Sequence, residues 1–294
     1  MFAASGPQLT WDLVRDIRQL FEFPFMVNAF RAGSIVAVTA GLIGWFMVLR
    51  RQTFAGHTLA LVGFPGAAGA VLLGVSAHVG FYAFCVTAAL VIAALPQSGG
   101  RTFSEESAII GTVQAFGLAC GFLFVSLYRG NLNGINALLF GSFLGITTGQ
   151  VLTLLFLGAA TLTVLGFIAR PLLFASVDPD VAAARGVPVR ILSGAFLVLL
   201  GVAAAATSQI TGALLVFALL VLPAATAQSV TTRPARSAAL SVGLALAVTW
   251  LGLTLAYYSR YPIGFYVTSI AFAAYVSANV APRVAGRRAG AAVA

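Results

Sequence analysis

Apolar runs of about twenty residues recur along nearly the whole chain, and nothing else in the sequence constrains its fold so strongly. A helix rises about 1.5 Å per residue, so roughly 20 apolar residues are needed to cross a bilayer's hydrocarbon core. Runs of this kind extend from Phe25 to Leu49, Phe54 to Gly74, Ala77 to Leu95, Ala108 to Leu127 and Thr148 to Ala169. Four more extend from Ile191 to Ala206, Thr211 to Ala227, Ala238 to Tyr257 and Ile263 to Ala281. The expectation is an all-α polytopic membrane protein with about nine transmembrane helices, because a spanning helix satisfies its own backbone polar groups. Asn136 to Leu144 is too short to cross and reads as a re-entrant or interfacial turn. Composition agrees. Only 8% of the residues are charged, against about a quarter in an ordinary soluble domain, and the mean hydropathy is +1.02.

The net charge of +9 does not describe a nucleic-acid binder. All 16 basic residues are arginine, and they stand singly or in pairs, all but Arg31 outside the apolar runs. That is how loop charges are placed when they set orientation in a bilayer. With the N-terminus outside, the inner face receives Arg50, Arg51, Arg101, Arg170, Arg185, Arg190, Arg233, Arg236, Arg283, Arg287 and Arg288. The outer face keeps Arg15, Arg18, Arg31, Arg129 and Arg260. An odd number of spans preserves this bias, and an even number spoils it at one end.

Three segments follow: an N-terminal stretch (1–24), a membrane domain (25–282) and a short basic cytoplasmic tail (283–294). Trp11 to Glu22 alternates Leu13, Ile17, Leu20 and Phe21 with Asp12, Arg15, Asp16 and Glu22 at helical spacing. It is charged throughout, unlike a cleavable signal peptide, and reads either as an amphipathic helix on the membrane surface or as a packed N-terminal helix. Cys85 and Cys120 lie within apolar runs without metal-ligand spacing and read as small packed hydrophobes.

The seven acidic residues lie in the N-terminal stretch, at Glu105 and Glu106, or at Asp178 and Asp180. A proton-coupled carrier usually places a carboxylate near the bilayer midplane, so this distribution argues against one. An intramembrane enzyme also lacks support, since no HExxH or Cys/His pair falls in a span. No GxxxxGK[ST] phosphate loop is present, so ATP would have to be hydrolysed by a separate subunit.

The longest inner loop contains Ser176 to Val187. Asp178 suits a helix N-cap, Pro179 the first helical position, and Gly186 a left-handed stop. The resulting short helix could dock into a cleft of a partner, or it could be an ordinary interfacial helix. Both readings stand on the residues alone.

Here the chain resembles the ABC-3 family of zinc/manganese permeases. Pro179, Asp180, Ala182, Gly186 and Val187 match that family's coupling-helix pattern. "VLRRQTFAGHTLALVGFPGAA" from Val48, "SEESAIIG" from Ser104, "SLYRGNLNGINALLFGSFLGIT" from Ser126 and "TGALLVFALLVLPAATA" from Thr211 resemble further family landmarks, in the family's order. The resemblance runs from about Pro24 to the last span. It implies the transmembrane permease subunit of an ATP-binding cassette importer in a bacterial inner membrane, moving zinc or manganese. Two permease copies would enclose the pathway, with a cytoplasmic ATPase dimer below and an external solute-binding lipoprotein above. Asp178 to Val187 would couple the permease to the ATPase. No cofactor is implied for this chain: ATP belongs to the partner, and a divalent metal would be cargo.

One departure bears on the cargo. Many family members carry an acidic residue in the second span and a histidine four positions on, which share a helix face. This chain has His57 and Leu61 at those positions. His57 is then either a single metal ligand, doubled in a dimer and supplemented by Thr58, or an interior residue that packs or gates. The departure keeps a second cargo open, such as a chelated metal, and a secondary carrier is the remaining alternative. His78, at the outer end of the third span, reads as solvated. Pro223 falls within the seventh span, where it can kink the helix as a hinge or pathway-lining site, or be tolerated without a role.

Overall fold

A computed structural model describes residues 13–94, 103–128, 145–213, 216–259 and 261–291. Every regular element among them is a helix: α1 (Leu13–Glu22), α2 (Pro24–Leu49), α3 (Thr53–Leu72), α4 (Ala77–Ala94), α5 (Phe103–Leu127), α6 (Thr148–Val177), α7 (Pro179–Ala184), α8 (Val189–Thr211), α9 (Val216–Val230), α10 (Pro234–Tyr257) and α11 (Ile263–Ala291). Eight of these are long and apolar enough to cross a membrane, and α9 is a shorter apolar helix. The chain is an all-α, multi-pass membrane protein. The Asn136–Leu144 stretch lies outside the described residues.

Side-chain contacts at the helix ends sort the bundle into two faces. On one, the Asn28 amide near the start of α2 donates to the Ile146 carbonyl before α6 (3.2 Å). Phe23 meets Tyr257 at the end of α10 on this same face. On the other, Arg50 at the end of α2 reaches Ser176 at the end of α6 and Ser193 at the start of α8. Trp45 donates to Ser237 near the start of α10 (2.9 Å), and Gln228 near the end of α9 donates to the Trp45 carbonyl (2.8 Å). The second face carries Arg50, Arg51, Arg170, Arg185, Arg190, Arg233 and Arg236, which by the positive-inside rule makes it cytoplasmic. The start of α2 and the far end of α11 therefore lie on opposite faces, as an odd number of crossings requires.

α2 is the centre of the bundle. Met26, Ala29, Ala32, Ala37, Ala40, Ile43 and Met47 are fully buried, and α6, α8, α9 and α10 pack around them. Small residues permit the close approach that helix association in lipid requires. α3 and α4 cross where Gly66 and Gly80 each face the other's carbonyl, and a Cβ on Gly44 would collide with the Leu220 carbonyl of α9. α5 and α6 instead leave large apolar side chains outward, Phe116, Phe122, Phe156 and Phe167 among them.

Several element boundaries differ from the sequence reading. α6 continues past Ala169, through Pro171, to Val177, so it delivers the chain directly to α7. α8 runs to Thr211 rather than ending at Ala206. The expected span from Thr211 to Ala227 is not one helix. Gly212 stops α8 at φ +82°, a conformation only glycine adopts readily. Ala213 packs with Ala67, Phe81 and Ala205. The next described helix runs from Val216 to Val230. α11 continues through the basic tail to Ala291. The N-terminal segment is helical from Leu13, and its buried Leu20 joins the main core while Phe21 meets the Phe30 ring at 5.3 Å. α1 therefore packs on α2.

Candidate functional site

α7 is built by its caps. The Asp178 carboxylate accepts from the Val181 amide at 3.0 Å, and Pro179 holds the first position, where its missing N–H leaves nothing unpaired. At the other end Gly186 has φ +80°. The Gly186 amide donates to the Ala183 carbonyl (2.9 Å) and the Val187 amide to the Ala182 carbonyl (3.0 Å), the paired bonds of a Schellman stop. Ala182 is fully buried while Val181 is exposed, as are Asp178, Pro179, Asp180, Ala184 and Arg185. Val187 packs against the main core. α7 thus presents a small polar surface on the arginine-bearing face, flanked by the ends of α6 and α8.

His57 lies one turn from the cytoplasmic end of α3. It is half-buried and meets the Phe217 ring of α9 edge-on, centroids 5.5 Å apart. Leu61 follows one turn on and is also half-buried. Thr58 is fully buried and turns to α5, where its hydroxyl bonds the Gln114 side-chain oxygen at 2.9 Å. The two neighbours therefore diverge, and the structure does not bring Thr58 to His57. Among the described residues no group of three or more His, Cys, Asp or Glu side chains could hold a metal. At this position a single copy offers one imidazole, a donor suited to transient contact rather than tight chelation.

Gln114 was missed in the sequence reading. Its signal was available: it is the one amide side chain in α5's membrane stretch, where the other polar side chains are hydroxyls, and a polar amide there is worth noting. Pro223 is buried within α9, near the Leu220 carbonyl that approaches Gly44. His78 is not freely solvated. Gln150 caps α6 by accepting the Thr147 amide on its oxygen (2.9 Å), so its NH₂ end faces His78 Nε2 at 3.3 Å. The pair borders a groove of about 900 Å³ between the outer ends of α4 and α6.

The comparisons with known proteins agree in kind. Over 215 residues the chain is 30% identical to the manganese transport system membrane protein MntC of Halalkalibacterium halodurans, covering 73% of each sequence. It is 29% identical over 240 residues to the chelated iron transport system membrane protein YfeC of Yersinia pestis, covering 82% of this chain and 80% of that one. The fold matches the solved structure of PsaBC from Streptococcus pneumoniae in complex with Fab. The TM-score is 0.79 and the identity 25%, over 90% of this chain and 95% of that one. Residues 22–281 match the ABC 3 transport family, which takes in the membrane bundle, His57 and all of α7, and the chain therefore belongs to that family.

Proposed function

We propose that this chain is the membrane-spanning permease of an ATP-driven importer in the bacterial inner membrane, with a divalent metal ion as cargo, manganese ahead of zinc. The observation that carries the reading is α7, a doubly capped helix held between α6 and α8 on the cytoplasmic face, within a chain of this family. A separate ATPase dimer supplies the energy and engages α7 through the exposed Asp178, Pro179, Asp180 and Gly186, while the buried Ala182 and the core-packed Val187 seat the helix on the permease. A second permease copy completes the pathway, and an external solute-binding lipoprotein delivers the cargo. Closure of the ATPase pair displaces the two α7 helices, which tilts the attached spans and alternates access. His57, Phe217 and the α9 segment around Pro223 line the moving part of the path. The order of metals rests on what similar permeases are named for carrying.

A second cargo, a metal chelate, is favoured by one observation. Leu61 replaces the second side-chain ligand expected on α3, and a chelate brings its own ligands. Reconstitution of the permease with its ATPase in liposomes, followed by ATP-dependent uptake of manganese, zinc and chelated iron, separates the readings. Accumulation of free manganese or zinc supports the first. Accumulation of the chelate alone supports the second, and no ATP-dependent uptake of any of them removes both.

A further inference from the structure

The cytoplasmic end of α2 is tied to its neighbours by side chains that the coupling reading leaves without a role. α2 ends in a Schellman stop of its own: the Arg51 amide donates to the Val48 carbonyl (3.1 Å) and the Gln52 amide to the Met47 carbonyl (2.9 Å). The residue at the left-handed position is Arg51, φ +57°, where glycine is usual and an L side chain is strained. This tight turn sets Arg50 at the junction of three helices. Its Nη2 donates to Ser193 of α8 at 2.7 Å, its Nη1 to Ser176 of α6 at 3.1 Å, and its Nε to Gln52 at 3.4 Å. The guanidinium also lies 5.5 Å from the centre of the buried Phe196 ring of α8. Ser176 and Ser193 stand just outside the two ends of the α7 segment, so one side chain brackets it from the core.

The same last turns of α2 hold the other half of the bundle. Trp45 donates to Ser237 of α10 and accepts from Gln228 of α9, and Ser241 of α10 donates to the Gly41 carbonyl at 2.8 Å. Gly44 lies against the Leu220 carbonyl of α9. A displacement of the α6 and α8 ends can therefore reach α9 as a movement of α2, through direct α8–α9 packing, or through α3 and α11, which touch both α8 and α9. α2 is the element that packs on α6, α8, α9 and α10 alike.

We propose that Arg50 is the positioning residue that locks α2 to the helices flanking α7, so that movement of α7 becomes movement of α2, α9 and α10. The proposal rests on the reading of α7 as the coupling helix. Arginine suits the task because its planar fork holds two acceptors in fixed relative positions, which a lysine's single ammonium cannot do.

The test uses the permease–ATPase complex in nanodiscs and liposomes, in a background with Cys85 and Cys120 replaced. Spin labels at Val177 (end of α6) and Ser229 (end of α9), both exposed, report the distance between the two permease copies with and without ATP. In the parent both label pairs shift. In Arg50→Met the Val177 pair still shifts and the Ser229 pair does not, and ions moved per ATP hydrolysed fall about tenfold. Arg50→Lys recovers part of the loss, and the Ser176→Ala/Ser193→Ala double variant, which keeps the charge, reproduces part of it. A merely structural role would lower thermal stability and leave ions per ATP unchanged. The proposal falls if Arg50→Met and the double serine variant both keep the parent's Ser229 shift and ions per ATP. It falls alone if Gly186→Val uncouples in the same assay. If Gly186→Val also transports normally, the coupling reading of α7 fails with it.

Discussion

His57 and Leu61 decide what α3 offers a passing ion. They occupy one face of the helix, a turn apart, both half-buried. An imidazole in lipid would be costly, and His57 is half-buried against the Phe217 ring. If the metal reading holds, His57→Ala lowers metal uptake several-fold while the permease still assembles with its ATPase. Leu61→His supplies a second nitrogen on the same face, so it tightens metal binding and slows release, since conduction needs a site weak enough to leave. Both are measured by uptake of radioactive manganese together with metal retained on the purified complex. Uptake unchanged by His57→Ala for every metal would make His57 a packing residue. His57 was legible in the sequence as a lone ionisable residue in an apolar run. Its nearness to the cytoplasmic end was legible too, since it is the fourth residue of the run that starts at Phe54. The turn before it was not, because that turn depends on Arg51 adopting a glycine-like conformation.

At the scale of single elements, local chemistry decided what could be read. α7 was legible because its signals are short-range: Asp178 bonds an amide three residues on, Pro179 starts a helix, and Gly186 stops one. Replacing Gly186 by valine forces a β-branched residue to φ +80°, at a local cost of about 1–2 kcal/mol. The C-terminal stop then opens and the docking surface changes. ATP hydrolysis in the Gly186→Val complex should continue with little transport, and normal transport by a correctly inserted variant would remove α7 from coupling. α9 was misread for the opposite reason. Hydropathy runs smoothly from Thr211 to Ala227, whereas the break at Gly212 is a backbone event inside an apolar stretch. The contact that seats α9 is also invisible in the sequence, since it joins Gly44 to a carbonyl in a different helix. Gly44→Val overfills that crossing and should destabilise the purified permease by about 1–3 kcal/mol, read as a lower midpoint of thermal unfolding. An unchanged midpoint would mean that α2 and α9 part easily.

For the whole molecule, span positions and the two-faced arginine distribution could be read because lipid imposes them on every segment alike. Which helices touch could not, since nothing local in α2 marks it as the central helix. The arrangement makes one topological prediction. In a background without native cysteines, a single cysteine at Leu73, in the exposed turn between α3 and α4, reacts with an impermeant maleimide added to intact cells. One at Ala184 on α7 reacts only after the cytoplasm is opened. Labelling of both from the same side would overturn the orientation. The broken seventh crossing also bears on how the protein is made. Fifteen residues of helix reach about 22 Å, less than the hydrocarbon thickness of roughly 30 Å, and the chain before Val216 leaves helical form at Gly212. Released alone from the insertion machinery, this segment would expose unpaired backbone groups to lipid. Its shelter comes from α2 and α8, synthesised earlier, and from α10 and α11, synthesised later. The expected outcome is that nascent chains arrested before Pro234 keep α9 crosslinked to the insertion channel, and chains arrested beyond α11 release it as a settled crossing.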